Sequence, residues 1–136
     1  MKAIFVNYED KYEKEVIKLI NNSFSNHNVQ KILEDDNVLG IVGLIDDKVV
    51  SYLNITFCTD VVNSYKYSVI NYVCVDEDYR GNDIGKEMMN KAIEISRDEN
   101  CKKIKLTSNS KKVAANKMYL RLGFGIKETN VFEKVI

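Results

Sequence analysis

The chain has 136 residues, room for one domain built around one hydrophobic core. Its 20 Lys and Arg balance 20 Asp and Glu, so no long-range field draws it to nucleic acid or to an anionic membrane, and any anion it binds is held locally. The opening MKAIFVNYEDKYEKEV lacks the apolar stretch of a signal peptide, and no apolar run approaches the ~20 residues that span a bilayer, so a soluble cytoplasmic protein is expected.

Ala3 to Tyr8 reads as a short strand, and Tyr12, Val16, Leu19 and Ile20 then recur at helical spacing. A weaker helical pattern covers Asn28 to Leu33 and runs into the acidic Glu34, Asp35 and Asp36. VLGIVGLI and KVVSYLNITFC flank Asp46-Asp47, a pair that tolerates the backbone angles of a tight hairpin turn, so these two strands are expected to pair antiparallel. Lys66 to Val75 gives a third strand of this meander. Strict alternation would put Tyr67, Val69, Asn71, Val73 and Val75 on one of its faces, with Asn71 the polar intruder.

The period then changes. Ile84, Met88, Ala92 and Ile95 form a helical stripe over 83–97, widened by Met89 and Ile93. Lys102 to Ser108 follows as a strand, and the strand, helix, strand order favours a parallel crossover. Ala115, Met118, Tyr119 and Leu122 share one face of a last helix, closed by Gly123, which accepts the positive φ of a helix end. FGIKET and NVFEKV read as a final pair of strands. The expected class is α+β: a mixed, mostly antiparallel sheet with helices on both faces.

Cys58, Cys74 and Cys101 are odd in number and scattered, which suits reduced core thiols better than disulfides or a zinc site. His27 is the only histidine, so neither a histidine-based metal cluster nor a Ser-His-Asp triad has its parts. The turn YRGNDIGK contains neither a dinucleotide fingerprint nor a P-loop. It still offers the bare N–H groups of a helix start together with Arg80 and Lys86, a combination suited to a pyrophosphate, although a plain tight turn would use the same glycines.

The block V-C-V-D-E-D-Y-R-G-x-x-I-G-K, followed downstream by A-N-K-M-Y-L-R-L-G-F, resembles the GNAT family of N-acetyltransferases across residues 66 to 124. The resemblance implies an acetyl-CoA co-substrate, no metal, and a slot where the third strand splays from the next. Val73, Cys74 and Val75 would then line the pantetheine arm through their main chain, and Arg80, Gly81, Asn82, Asp83, Ile84, Gly85 and Lys86 would cradle the pyrophosphate. Tyr119 matches the tyrosine that protonates the departing sulfur, and Asn116 would bond the coenzyme. The acceptor would be an amine of a small molecule or peptide, and the resemblance admits a homodimer.

Two positions depart from the pattern. Asp83 stands where the turn has a glycine, and Asn71, which cannot take a proton, stands where many members carry a glutamate. The base is therefore unassigned: His27 and Glu34 to Asp36 are candidates with an ordinary solvated role as their alternative, and a water chain or an acceptor that arrives already neutral would serve equally. A second reading follows from the same departures: an acyl-CoA sensor that kept the slot and lost catalysis.

Overall fold

A computed structural model describes residues 2–136. Five strands form one sheet in chain order: β1 (Ile4–Asn7), β2 (Val38–Ile45), β3 (Lys48–Asp60), β4 (Tyr65–Val75) and β5 (Cys101–Leu106). The first three junctions are antiparallel and β4 to β5 is parallel. The helices are α1 (Glu13–Ser23), between β1 and β2, α2 (Ile84–Asp98), between β4 and β5, and α3 (Val113–Arg121), after β5. The β2–β3 hairpin closes at Asp46-Asp47 with φ of 49° and 63°, the doubly left-handed turn whose twist matches that of paired strands.

Each face of the sheet carries a helix. Val16, Leu19 and Ile20 of α1 meet Val42, Leu44, Val49, Tyr52 and Cys74, while Met88, Met89 and Ala92 of α2 meet Ile41, Leu53, Ile55 and Ile70. Alternate residues of β2 and β3 feed opposite layers, as a pleated strand buried on both sides requires. Past α3, Gly123 takes φ +94°, the helix-end role expected of it.

Three expectations need correction. Residues 28–33 form no helix, because their backbone groups are taken by side chains of α1. Asn21 receives the Val29 N–H at 2.8 Å and donates to the Val29 carbonyl at 3.2 Å, and the Glu13 carboxylate accepts the Ile32 N–H at 3.3 Å. Side-chain partners of this kind compete with a helical ladder.

The final strand pair is also absent among the described residues: 124–136 run without a sheet partner, with Ile126, Val131, Phe132, Val135 and Ile136 exposed. The edge open to them, β5, carries exposed Lys102, Lys103 and Lys105, and lysines along an edge discourage the addition of a strand.

The third correction concerns the faces of β4. Tyr72 has φ +57° and stands unpaired in the ladder, where Tyr52↔Cys74 is followed by Asn54↔Asn71. This β-bulge shifts the alternation by one residue. Val73 and Val75 consequently turn toward the α2 side, whereas Asn71 lies opposite Asn54 on the face of Tyr52 and Cys74.

A polar bond joins β4 to α2 inside the core. Ser68 and Ser96, both buried, share a hydroxyl hydrogen bond of 2.8 Å. Removing either partner strands the other hydroxyl, so Ser96→Ala is expected to destabilise the fold by about 1–2 kcal/mol, and the Ser68→Ala/Ser96→Ala double variant by less than the sum of the singles. Urea unfolding of the full cycle measures this, and strictly additive losses would contradict it.

Candidate active site

The site begins where two strands part. Parallel pairing of β4 with β5 runs from Lys66↔Cys101 to Ile70↔Leu106 and stops, so residues 71–75 of β4 continue with that edge open. The opening coincides with the Tyr72 bulge. At the end of the free edge the chain makes a short 3-10 turn, Glu77–Tyr79, and passes through Arg80, Gly81, Asn82 and Asp83 into α2.

Backbone angles in this turn explain its residues. Gly81 has φ +85° and Asp83 φ +60°, both left-handed. Asp tolerates that region better than most residues, which accounts for its presence at the pattern's glycine position. Its side chain makes no capping bond to the helix. The first helical bond runs from the Glu87 N–H to the Asp83 carbonyl at 2.9 Å, leaving the N–H groups of Ile84, Gly85 and Lys86 ahead of the ladder at the positive end of the dipole. Ile84 contributes only its backbone here, since its side chain is core.

The two cations behave differently. Arg80 folds back and donates from Nε to the Val75 carbonyl at 3.2 Å, tying the turn to the last residue of β4. Lys86 is exposed. Asn82 braces the same turn through its amide to the Tyr79 carbonyl at 3.0 Å. Around them stand Asp76, Glu77, Asp78, Asp83 and Glu87, so between residues 76 and 87 the acidic side chains outnumber the basic ones.

On the opposite side of the opening, α3 supplies Tyr119 and Asn116. The Tyr119 ring packs edge-to-face on Phe124 with centroids 6.1 Å apart, and burial holds its phenol above the ordinary value near 10. Asn116 donates its amide to the Asn109 carbonyl at 3.1 Å, closing the loop between β5 and α3. Cys74 lies under the free edge on the α1 side, and burial pushes its thiol up to about 12, against weaker opposing effects from Ser23, the Tyr52 carbonyl, and the Lys112 and Arg80 cations. At neutral pH it is a protonated thiol, not a nucleophile.

The α1 face of the opening is lined by residues that the sequence did not single out. Tyr52 accepts a hydrogen bond from the Asn54 amide at 3.3 Å, and its ring meets Tyr8 edge-on at 6.2 Å. The Tyr8 hydroxyl is buried without a partner and pushed up to about 12 by burial, then by the carboxylates of Glu13 and Asp10, with Glu34 adding to them. Glu34 itself is exposed. Asp35 builds the entry to β2, its carboxylate accepting the Asn37 N–H at 2.8 Å. Below the face, a groove of about 590 Å³ runs between α1 and the Asp76–Arg80 turn, lined by Glu15, Lys18, Asn22 and Lys48.

His27 is exposed, but it is not isolated: it meets the rings of Phe24 and Tyr72 at the bulge. Sequence spacing does not bring Tyr72 together with Phe24 and His27, because nothing in an alternating strand announces a tyrosine at positive φ. Among the described residues no group of three or more His, Cys, Asp or Glu is placed to hold a metal ion.

A splayed mixed sheet and a helix that starts at the end of the free edge define an acyltransferase-type architecture. The acetyltransferase (GNAT) family model matches residues 3–124, and the chain belongs to that family of transferases. The match ends at Phe124, where the last helix is capped. No curated protein matches the sequence.

Among solved structures, the chain is similar in fold to a transcriptional regulator from Bacillus halodurans C-125, with a TM-score of 0.88 and 19% identity over 98% of this chain and 100% of that one. An acetyltransferase of Trypanosoma brucei gives a TM-score of 0.79 and 18% identity over 98% and 100%. An aminoglycoside acetyltransferase from an uncultured soil metagenomic sample gives 0.83 and 14% identity over 100% of both chains.

The Cys74 thiol carries a pH prediction. Its folded value, about 12, lies above the ordinary 9.0, so the stability it confers is fully present below pH 9 and is lost as pH rises toward 12. Between pH 9 and 10 this one group is expected to remove about 1 kcal/mol, and Cys74→Ala should lack that slope. Urea unfolding at pH 8, 9 and 10 reads it; parallel pH profiles for both proteins would contradict the assignment.

Proposed function

We propose that this chain is an acetyl-CoA-dependent N-acetyltransferase that moves the acetyl group directly from the thioester to a primary amine of a small molecule or peptide, without a metal. The observation that carries this reading is the parting of β4 from β5 after Ile70, with the unladdered N–H groups of α2 at the end of the freed edge. An edge of strand backbone suits the two amides of a pantetheine arm, and a helix start suits a pyrophosphate. The residues present fit acetyl-CoA in both respects.

In this reading Val73, Cys74 and Val75 offer main-chain groups to the pantetheine, and the turn from Arg80 to Lys86 receives the pyrophosphate. Asn116 keeps its amide oxygen free for the coenzyme while its NH2 closes the loop. Acetyl-CoA supplies an activated acyl group with a thiolate leaving group. The attacking amine must be neutral, the carbonyl oxygen needs a donor as charge builds on it, and the sulfur needs a proton. Tyr119, kept protonated by its burial, is the acid for the sulfur. A backbone N–H of the free edge serves the oxyanion. Asn71 takes no proton and at most orients a water, so deprotonation falls to another group. A protonated Cys74 leaves direct transfer as the route.

Calorimetric titration with acetyl-CoA, with CoA as comparator, tests the slot: micromolar binding is expected, and no binding at millimolar ligand would end the proposal. Tyr119→Phe should lower kcat by about 10–100-fold at nearly unchanged acetyl-CoA affinity, and an unchanged kcat would remove Tyr119 from the chemistry. The Asp83 carboxylate opposes an anion at the helix start, so Asp83→Gly is expected to tighten acetyl-CoA binding by about 3–10-fold. A Kd that stays the same or rises would show that this carboxylate does not face the ligand.

A further inference from the structure

The bulge at Tyr72 has company that the roles above leave unused. The rings of Phe24, His27 and Tyr72 stand in mutual contact, with centroid separations of 5.5 Å for Phe24–Tyr72, 5.7 Å for Phe24–His27 and 5.7 Å for His27–Tyr72. Three rings from two elements make an aromatic corner at the mouth of the slot, on the α1 side. A cation occupies it: the Lys112 Nζ lies 4.4 Å from the centroid of Phe24.

Lys112 belongs to the other side of the opening. It is the residue before α3, at the end of the loop from β5, and its side chain reaches across to α1's last cap residue, Phe24. Its charge is also felt by the Cys74 thiol under the free edge of β4. An alkylammonium therefore reaches from the start of α3 to the aromatic corner, over the face of the Phe24 ring, which favours a cation. That is the chemical group, on an unbranched chain, which an external primary amine would bring.

We propose that Lys112 is an acceptor of the protein's own acyl transfer, becoming Nε-acetylated from the aromatic corner of Phe24, His27 and Tyr72, and that this corner is the seat of a primary alkylamine. The inference rests on the reading of the slot as an acetyl-CoA site. His27 fills the missing role. Its Nδ1 lies 3.2 Å from the Ser25 carbonyl, which can only accept, so Nδ1 carries the hydrogen and Nε2 of the neutral ring presents a lone pair. His27 takes a proton from the Lys112 ammonium. The neutral amine attacks the thioester carbonyl, forming a C–N bond as the C–S bond breaks. The sulfur leaves with the bonding pair and takes one proton from Tyr119, which recovers it from the attacking nitrogen. The products are acetyl-lysine, CoA thiol and one proton on His27 that passes to solvent. Acetylation also removes the positive charge that Phe24 holds, which vacates the corner for an external amine.

The test uses the full chain with acetyl-CoA, and with CoA as blank. Intact mass should show the gain of one acetyl group, peptide sequencing should place it on Lys112, and the first-order rate should not change with protein concentration, because the acceptor is held in place. Lys112→Arg, which keeps the cation, should abolish the modification. His27→Gln should slow it by about a hundredfold at neutral pH and by less at high pH, where amines deprotonate unaided. Acetyl groups scattered over many lysines, or a rate rising with protein concentration, would overturn the proposal. So would an unmodified Lys112 in a protein that binds acetyl-CoA calorimetrically. Absence of acetyl-CoA binding would instead overturn the slot reading, and this proposal with it.

Discussion

One backbone conformation organises the middle of this molecule: the left-handed angle of Tyr72. A tyrosine there is sterically unfavourable and persists only because the pairing with β3 before and after it fixes the strand. The bulge turns Val73 and Val75 toward α2 and leaves Cys74 facing α1, so both helical layers stay closed around a strand whose outer edge is open. Without the added residue, either the apolar side chains beyond it would face the wrong layer, or β4 and β5 would have no reason to separate where they do. The free edge and the buried core thus share one cause.

At the end of that edge the local field is a compromise. Helix N–H groups, Arg80 and Lys86 favour an anion, while Asp83 and the acidic run Asp76 to Asp78 oppose one. Arg80 is partly occupied in holding the Val75 carbonyl, so the backbone dipoles carry more of the attraction than the residue count suggests. The chain's zero net charge adds no long-range steering to either side. Selectivity at this turn therefore depends on the direction of its N–H groups, which Gly81 and Asp83 set through their positive φ.

Much of this was legible in the sequence. The hairpin at Asp46-Asp47, the change from strand to helix period at residue 84, and Gly123 as the stop of α3 all follow from local rules, and each local rule agrees with the fold. What escaped the reading depends on distant partners. Residues 28–33 have a helical pattern, yet Asn21 and Glu13 claim their backbone. Residues beyond Phe124 have strand-forming side chains and no edge that accepts them. The corner at the bulge escaped for a related reason: Phe24, Tyr72 and Lys112 are far apart in the chain, and none belongs to a motif. His27 reads in the sequence as a solvated surface residue, and it is exposed, but the fold sets its ring against Phe24 and Tyr72.

The paired bonds between Asn21 and Val29 have a further meaning. They fasten both ends of the segment carrying Phe24 and His27 to one side chain, making that segment a closed loop pinned at its neck. Its length and composition can therefore change while the strands, the free edge and the start of α2 stay in register, since none of their pairings passes through it. Surface loops closed in this way tolerate substitution at small thermodynamic cost. In the proposed reading the architecture separates two inheritances: a coenzyme side fixed by sheet and helix geometry, and an acceptor side that is free to diverge.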